Sequence, residues 1–131
     1  MAITKKSGRQ EVISARVVVT LGTGADASAV AVYPAIDVPK GAIVVGGYIN
    51  VSDATTATVD LNVGDGGVST RYASAVDGAA TGLTALVPTG YVYTEADTID
   101  LAITVAAAEA AGQCEIVVNY VVDGRTAFSQ G

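Results

Sequence analysis

Apolar and polar residues alternate with a period of two along much of the chain. The clearest runs are residues 12–21, 56–63, 98–105 and 113–122. A helix has about 3.6 residues per turn and would spread such a set around its axis, whereas a strand places each set on one face. The pattern therefore predicts β-strands that each turn one face toward a core.

The alternation also predicts which side chains point inward. The predicted inward-facing residues are Ile13, Ala15, Val17, Val19, Leu21, Ala57, Val59, Leu61, Val63, Ile99, Leu101, Ile103, Val105, Cys114, Ile116, Val118, Tyr120 and Val122. The residues between them, including Asp60, Asn62 and Asp100, are predicted to lie on solvated outer faces. Four apolar residues share this outer parity and suggest a surface covered by a partner: Val18, Ala102, Val117 and Val121.

Other segments complete a count of about eight short strands. Residues 29–33 and 43–51 are more continuously apolar, and weaker strands are predicted near 71–74 and 83–87. Gly46 and Gly47 predict a bulge, and Pro34 and Pro39 exclude their neighbourhoods from the middle of a sheet. Residues 106–112 are predicted to connect the last two strands.

The spacing of strands and turns favours one fold class. Turn signals recur about every ten residues, which is typical of an antiparallel two-sheet β-sandwich. Eight strands fit a jelly roll. An immunoglobulin-like sandwich is the alternative, although the chain lacks the tryptophan and the cysteine pair of an antibody domain.

Charge divides the 131 residues into a basic arm and an acidic body. Residues 1–16 contain four cations, Lys5, Lys6, Arg9 and Arg16, and one acid, Glu11, for a net charge of +3, and the other 115 residues carry −9. We expect an N-terminal arm over residues 1–11 and a sandwich domain over 12–131. The arm is interpreted as an electrostatic tether or, alternatively, as a solvated terminus. The acidic body argues against nucleic-acid binding. With no apolar leader or membrane span, we expect synthesis in a host cytoplasm.

The residue types argue against an enzyme and against a bound cofactor. The chain has no histidine, the commonest general base and metal ligand. Asp60 and Asp100 form a conceivable carboxylate pair, but a solvated outer face explains them better. A calcium site at Asp60, Asn62 and Asp65 remains an open alternative. The single Cys114 permits no intrachain disulfide and is interpreted as a core residue.

Tyr91 and Tyr93 are the aromatic candidates for a contact surface. They share strand parity beside Pro88 and Gly90, so both rings are predicted to face one side. Such a pair can anchor a protein interface or stack on a sugar. Packing within a loop is the alternative.

Several segments resemble the small jelly-roll decoration or cement proteins of tailed-phage capsids. The resemblance lies in residues 33–42, 47–51, 63–66, 71–72, 93–101 and 121–125. It implies a protein displayed in many copies on the capsid surface, bound to the major capsid protein and assembled as a homotrimer. The arm (residues 2–11) and one end of the sandwich would make the contacts, and the candidate contact residues are Lys5, Lys6, Arg9, Arg16, Tyr91 and Tyr93. A head-fibre base, a tail module and a stand-alone carbohydrate-binding sandwich remain alternatives.

Overall fold

A computed structural model of the chain describes residues 10–22, 25–27, 29–105 and 111–122. Eight strands follow one another: β1 (Ile13–Leu21), β2 (Ala31–Val38), β3 (Ala42–Asp53), β4 (Asp60–Gly64), β5 (Ala73–Asp77), β6 (Gly82–Ala85), β7 (Asp97–Val105) and β8 (Gly112–Val122). This confirms the predicted all-β class and the number of strands. Residues 1–9 of the predicted arm, the connection over 106–110 and residues 123–131 lie outside the described residues.

The strands form two antiparallel four-stranded sheets. Sheet A has the order β1-β8-β3-β6, and sheet B has the order β2-β7-β4-β5. The first strand therefore pairs with the last, the second with the seventh, the third with the sixth, and the fourth with the fifth. A chain folded back on itself in this way and rolled into two sheets is a jelly roll. The immunoglobulin-like alternative is wrong, because β1 has β8 as its neighbour.

The core lies between the sheets and uses the predicted inward sets. The buried residues on these sets include Val19, Leu21, Val59, Leu61, Val63, Ile99, Leu101, Ile103, Cys114, Ile116, Val118 and Tyr120. Ile13, Ala15, Val17, Ala57 and Val122 pack against them and are partly buried. The inward assignment is thus confirmed for every predicted inward residue whose side chain is described.

Glycine and proline mark the irregular positions as predicted. The pairing of β3 with β8 shifts register between Val44 and Gly46. At Gly47 the backbone φ is +126°, and a Cβ atom would lie 2.0 Å from the carbonyl oxygen of Val117, so only glycine fits. Pro34 lies in β2, an edge strand, at a second register shift. An edge tolerates the missing N–H group.

The predicted boundaries were less accurate than the elements themselves. The run over 56–63 enters a strand only at Asp60, and the two weak strands lie at Ala73–Asp77 and Gly82–Ala85. β5 has five residues and β6 has four, so an alternating pattern is too short there to fix the bounds of the strand.

The assignment of four outer-face residues to solvent or to a partner was wrong, because Asn62, Asp100, Ala102 and Val117 are buried. Ala102 lies opposite Val32 and Asn62 on its two neighbouring strands. Val117 lies in the same way between Arg16 and Tyr48. Residues directly opposite each other share a face, so the larger neighbours shield these small side chains.

Four apolar residues of outer parity were predicted to be covered by a partner: Val18, Ala102, Val117 and Val121. Of these, Val18 alone is exposed, while Val121 is half-buried. The inference of a covered outer face therefore does not hold for Ala102 and Val117, which are shielded within the chain itself.

Candidate functional site

Three loops and the entry of the chain meet at one end of the sandwich, which we call the tyrosine end. The loops are residues 39–41, 65–72 and 86–96. The Gly41 amide donates to the Tyr93 carbonyl at 2.7 Å, and the Tyr93 amide donates to the Ala42 carbonyl at 3.0 Å. The Val87 amide donates to the Tyr72 carbonyl at 3.0 Å. Backbone hydrogen bonds thus tie all three loops into one surface.

A buried carboxylate organises this end. Asp65 follows β4 and begins a tight turn, in which its Oδ1 accepts from the Gly67 amide at 3.0 Å and the Val68 amide at 2.8 Å. This is the local bonding for which aspartate is favoured in turns. Arg71 Nε donates to Oδ2 at 2.5 Å, and Arg71 Nη2 is 3.3 Å from Oδ1. The carboxylate therefore meets the guanidinium through both of its oxygens.

Two tyrosine hydroxyls extend this cluster into the core. Tyr93 donates to Oδ2 of Asp65 at 2.8 Å. The hydroxyls of Tyr72 and Tyr93 are 2.7 Å apart, so Tyr72 donates to Tyr93. We call Asp65, Arg71, Tyr72 and Tyr93 the Asp65 network. It joins the loop after β4 to the loop before β7.

The charges of the Asp65 network are fixed at neutral pH. Burial alone would raise the pKa of Asp65, but hydrogen bonds from Arg71, Val68 and Tyr93 lower that pKa below its usual value. The hydrogen bond to Asp65 raises the pKa of Arg71. Burial raises the pKa values of Tyr72 and Tyr93. A carboxylate saturated by donors is not available as a general base, so this cluster acts as a structural lock.

Arg71 connects the Asp65 network to the surface of the protein. Its guanidinium carbon lies 3.7 Å from the ring centroid of Tyr91, a cation–π contact. The rings of Tyr91 and Tyr93 meet edge to face, with centroids 5.0 Å apart and planes at 86°. Tyr91 is exposed, and these two contacts set the orientation of its ring.

Of the two interpretations of Tyr93, as a contact residue or as an aromatic packed within its loop, the structure favours packing. The exposed fraction of Tyr93 is 2%, because its hydroxyl is bound to Asp65 and Tyr72 inside the fold. Tyr91 and Tyr93 do lie together, but only Tyr91 contributes to the surface.

The basic candidates are not all brought to this end. Lys5, Lys6 and Arg9 lie outside the described residues. Arg16 lies on β1, with its guanidinium Nε 2.7 Å from Oε2 of Glu115. Since β8 and β3 separate β1 from the loop over 86–96, Arg16 is remote from Tyr91.

The root of the arm, in contrast, lies at the tyrosine end. The Gln10 side-chain amide donates to the Val122 carbonyl at 3.2 Å. Val122 pairs with Ala42, which is bonded to Tyr93. The segment that precedes β1 therefore leaves the sandwich beside the three loops.

The structure separates Asp60 from Asp100, the conceivable carboxylate pair of a glycosidase. Asp60 pairs with Val105 and Asp100 lies opposite Gly64, at the other end of β4. At about 3.3 Å per residue they lie about 13 Å apart, beyond the separation of a glycosidase pair.

For the calcium alternative, Oδ1 of Asn62 already accepts from the Ala75 amide, and the Asp65 oxygens are bound as described above. Among the described residues, no group of three or more acidic or cysteine side chains is placed to hold a metal ion. No helix of the described chain is long and apolar enough to cross a membrane.

Sequence reasoning missed Arg71 and Tyr72 as members of a site. The local signal was present, because Asp65 is followed by Gly66, Gly67 and, six positions on, an arginine. The contact of Tyr72 with Tyr93 had no local signal, since it joins loops 21 residues apart.

Similarity to known proteins is found in the fold of this chain. The sequence matches no protein-family model and no curated protein. A chain of the Cyanophage Pam1 capsid asymmetric unit is similar, with a TM-score of 0.68, 26% identity, and coverage of 93% of this chain and 92% of that one.

Two further capsid structures show the same fold at lower identity. A chain of the acid-stable capsid of Helicobacter pylori bacteriophage KHP30 has a TM-score of 0.61 and 18% identity, over 86% of this chain and 93% of that one. A chain of the Ralstonia phage GP4 capsid has a TM-score of 0.61 and 14% identity, over 93% and 91%. The chain thus shares its all-β sandwich fold with chains of three phage capsid structures. These similarities support a structural role in a virion for this chain.

Proposed function

We propose that this protein is a non-enzymatic structural protein that binds the outside of a phage capsid and decorates or cements it. The observation that carries the proposal is the similarity to a chain of the Cyanophage Pam1 capsid asymmetric unit. That similarity covers more than nine-tenths of both chains, so it extends over the whole sandwich and is not limited to a shared motif. A single jelly roll that accompanies a capsid lattice suits a surface protein of the virion.

The tyrosine end and the basic arm suit attachment to the major capsid protein. The root of the arm leaves the sandwich at the tyrosine end, beside Val122. The arm carries Lys5, Lys6 and Arg9, whereas the body is strongly acidic. A cationic arm attracts an acidic partner over about 10 Å at moderate salt. The Asp65 network holds the adjoining loops rigid, which lowers the entropy lost on binding.

In this proposal the protein binds as a homotrimer on the capsid surface and bridges neighbouring capsid subunits. Each bridge adds contact energy between subunits that the lattice alone does not provide. The protein is made in the host cytoplasm and joins the particle there.

Copy number in purified particles tests the proposal. Quantitative mass spectrometry against the major capsid protein should give many copies in a simple ratio to capsid subunits. A handful of copies would instead indicate a head-fibre base or tail module. Absence from the particle would overturn the virion role.

Deletion of residues 1–11 tests the tether. The truncated protein should occupy fewer sites on the capsid than the full chain does. The loss should be greater at low salt than at high salt, because salt screens the attraction between exposed charges. A matched control replaces Lys5, Lys6 and Arg9 with glutamine and keeps the length of the arm. The control should reproduce the loss at low salt. Unchanged occupancy after the deletion would reject the tether.

A further inference from the structure

We propose that copies of this chain associate through the free edge of sheet A. This surface, which we call the β6 face, comprises the exposed residues between positions 82 and 92 together with Val45. The inference rests on the homo-oligomer included in the proposed function and deepens it by assigning the contact between subunits.

The β6 face is a continuous edge. β6 pairs with β3 from Tyr48 opposite Ala85 to Val51 opposite Gly82. The chain then stays beside β3, because the Leu86 amide donates to the Gly47 carbonyl at 3.0 Å and Val92 bridges to Ile43. No other described strand pairs with the outer side of β6, and beyond β6 the Val87 amide is bonded to the Tyr72 carbonyl, so the free edge is that of β6 itself.

The face is apolar and exposed. All four residues of β6 are exposed. Leu83 is 61% exposed and Val87 is 65% exposed. Val45, Tyr91 and Val92 are further exposed apolar residues on β3 and on the segment that follows β6. An apolar surface of this continuity on a small protein marks an interaction site.

The face also lacks charge, which is the second and independent observation. Residues 78–94 contain no charged side chain, in a chain whose charged fraction is 15%. Exposed edge strands ordinarily carry lysine, other charges or proline, which prevent edge-to-edge association. β6 carries none of these, and the one proline of the β6 face, Pro88, lies beyond the strand. Depletion of charge is also the compositional mark of the core of a protein interface.

A second copy of the chain is the occupant that this charge distribution favours. Around a rotation axis, each copy turns the same face toward the others. The body carries −9, so contact through most other surfaces would place carboxylates opposite carboxylates. Asp37 and Asp97 line the open cleft beside β2, for example. The charge-free face lets copies approach without that repulsion.

The Asp65 network supplies the rigidity that such a contact needs. Arg71 stacks on Tyr91 and is itself bound to Asp65, so the exposed ring is fixed before association. Tyrosine and arginine are enriched among the residues that contribute most to interface energy. A preorganised aromatic ring loses little entropy on burial.

Sedimentation velocity of the isolated full chain over a range of concentrations tests the inference. The variant carries Leu83→Lys and Val87→Lys. The control carries Val30→Lys and Val32→Lys, which add the same charge at positions 60% and 54% exposed beside the opposite sheet edge. We expect an oligomer for the wild type and the control, and self-association weakened about tenfold or more in the variant. A monomeric wild type, or a variant that associates like the control, would overturn the inference.

Cross-linking provides a readout that does not depend on the lysine variants. Val87 is exposed, so Val87→Cys introduces an accessible thiol. The native Cys114 is buried and should not react. Mild oxidation should join copies of Val87→Cys, and copies of Val32→Cys should stay separate. Capsid occupancy is measured in parallel. A chain that is monomeric yet occupies the capsid would overturn only the inference, and an oligomer missing from the particle would overturn only the proposed function.

Discussion

Replacing Asp65 with asparagine removes the centre of the Asp65 network at almost constant volume. The variant keeps one acceptor oxygen, which can still receive the Gly67 and Val68 amides. The other oxygen becomes an NH₂ group and can no longer accept from Arg71 Nε or from the Tyr93 hydroxyl. The substitution therefore leaves a partly buried guanidinium without its counter-charge.

The expected cost follows from the burial of the two partners. The Asp65 side chain is 1% exposed and the Arg71 side chain 15%. Removing one partner of a buried ion pair costs about 3–5 kcal/mol. Water reaches part of Arg71, so we expect the lower end, about 3 kcal/mol of unfolding free energy. With a urea m-value of about 1.5 kcal/mol/M, the unfolding midpoint should fall by about 2 M.

Equilibrium urea unfolding followed by circular dichroism measures this shift. Asp26→Asn is the matched control, because Asp26 also accepts two hydrogen bonds, both from Thr20, but is exposed. Its effect should be clearly smaller. A double-mutant cycle with Arg71→Met should show strong non-additivity, since the two residues form one pair. A loss below about 1 kcal/mol for Asp65→Asn, within the range of an ordinary hydrogen bond, would refute the buried-pair reasoning.

The same substitution has a pH signature. The folded-state pKa of Asp65 is lowered from 3.8, so the carboxylate stabilises the fold above that value, and this stabilisation is lost as the pH falls below it. The difference between the wild type and Asp65→Asn should therefore be constant near neutral pH and shrink in acid. A difference that grows in acid would contradict the assignment of the charged form.

Three further predictions concern other positions. Gly47→Ala should cost about 3 kcal/mol or more, because its Cβ would overlap the Val117 carbonyl, whereas Gly82→Ala has open space and should cost about 1 kcal/mol; urea midpoints compare them. Burial raises the pKa of Asp100, so its charge destabilises the fold as the pH rises; Asp100→Asn should stabilise by about 1 kcal/mol at neutral pH and lose that advantage in acid. Burial raises the pKa of the Cys114 thiol to about 12, so a thiol reagent should label it only on unfolding.

The strands could be predicted because their signal is local. β1, β7 and β8 each carry a run of apolar residues at every second position, and the structure places the described members of these sets in the core. The faces of individual outer residues could not be predicted in this way. Whether Ala102 is exposed depends on Val32 and Asn62, which reach its side only through the register of two neighbouring strands. Register between distant strands is not written in any one segment.

The candidate site shows the same division between local and non-local information. The turn at Asp65 is readable from the two glycines that follow it, and the charge of the arm is readable from composition. The meeting of Tyr72, Tyr93 and the root of the arm arises from the jelly-roll topology, which brings three loops and the chain entry to one end. Predicting that end requires the strand order first.

The segment that follows β6 links the stability of the fold to its proposed contacts. Tyr93 points inward to Asp65, while Tyr91 and Val92 beside it are exposed on the β6 face. Neighbouring residues of one short segment therefore belong to the Asp65 network and to the β6 face. Because Arg71 joins both, loosening the lock must also release the exposed ring of Tyr91. Asp65→Asn should thus weaken self-association without altering any residue of the β6 face, whereas Leu83→Lys should weaken it without lowering the unfolding free energy by a comparable amount.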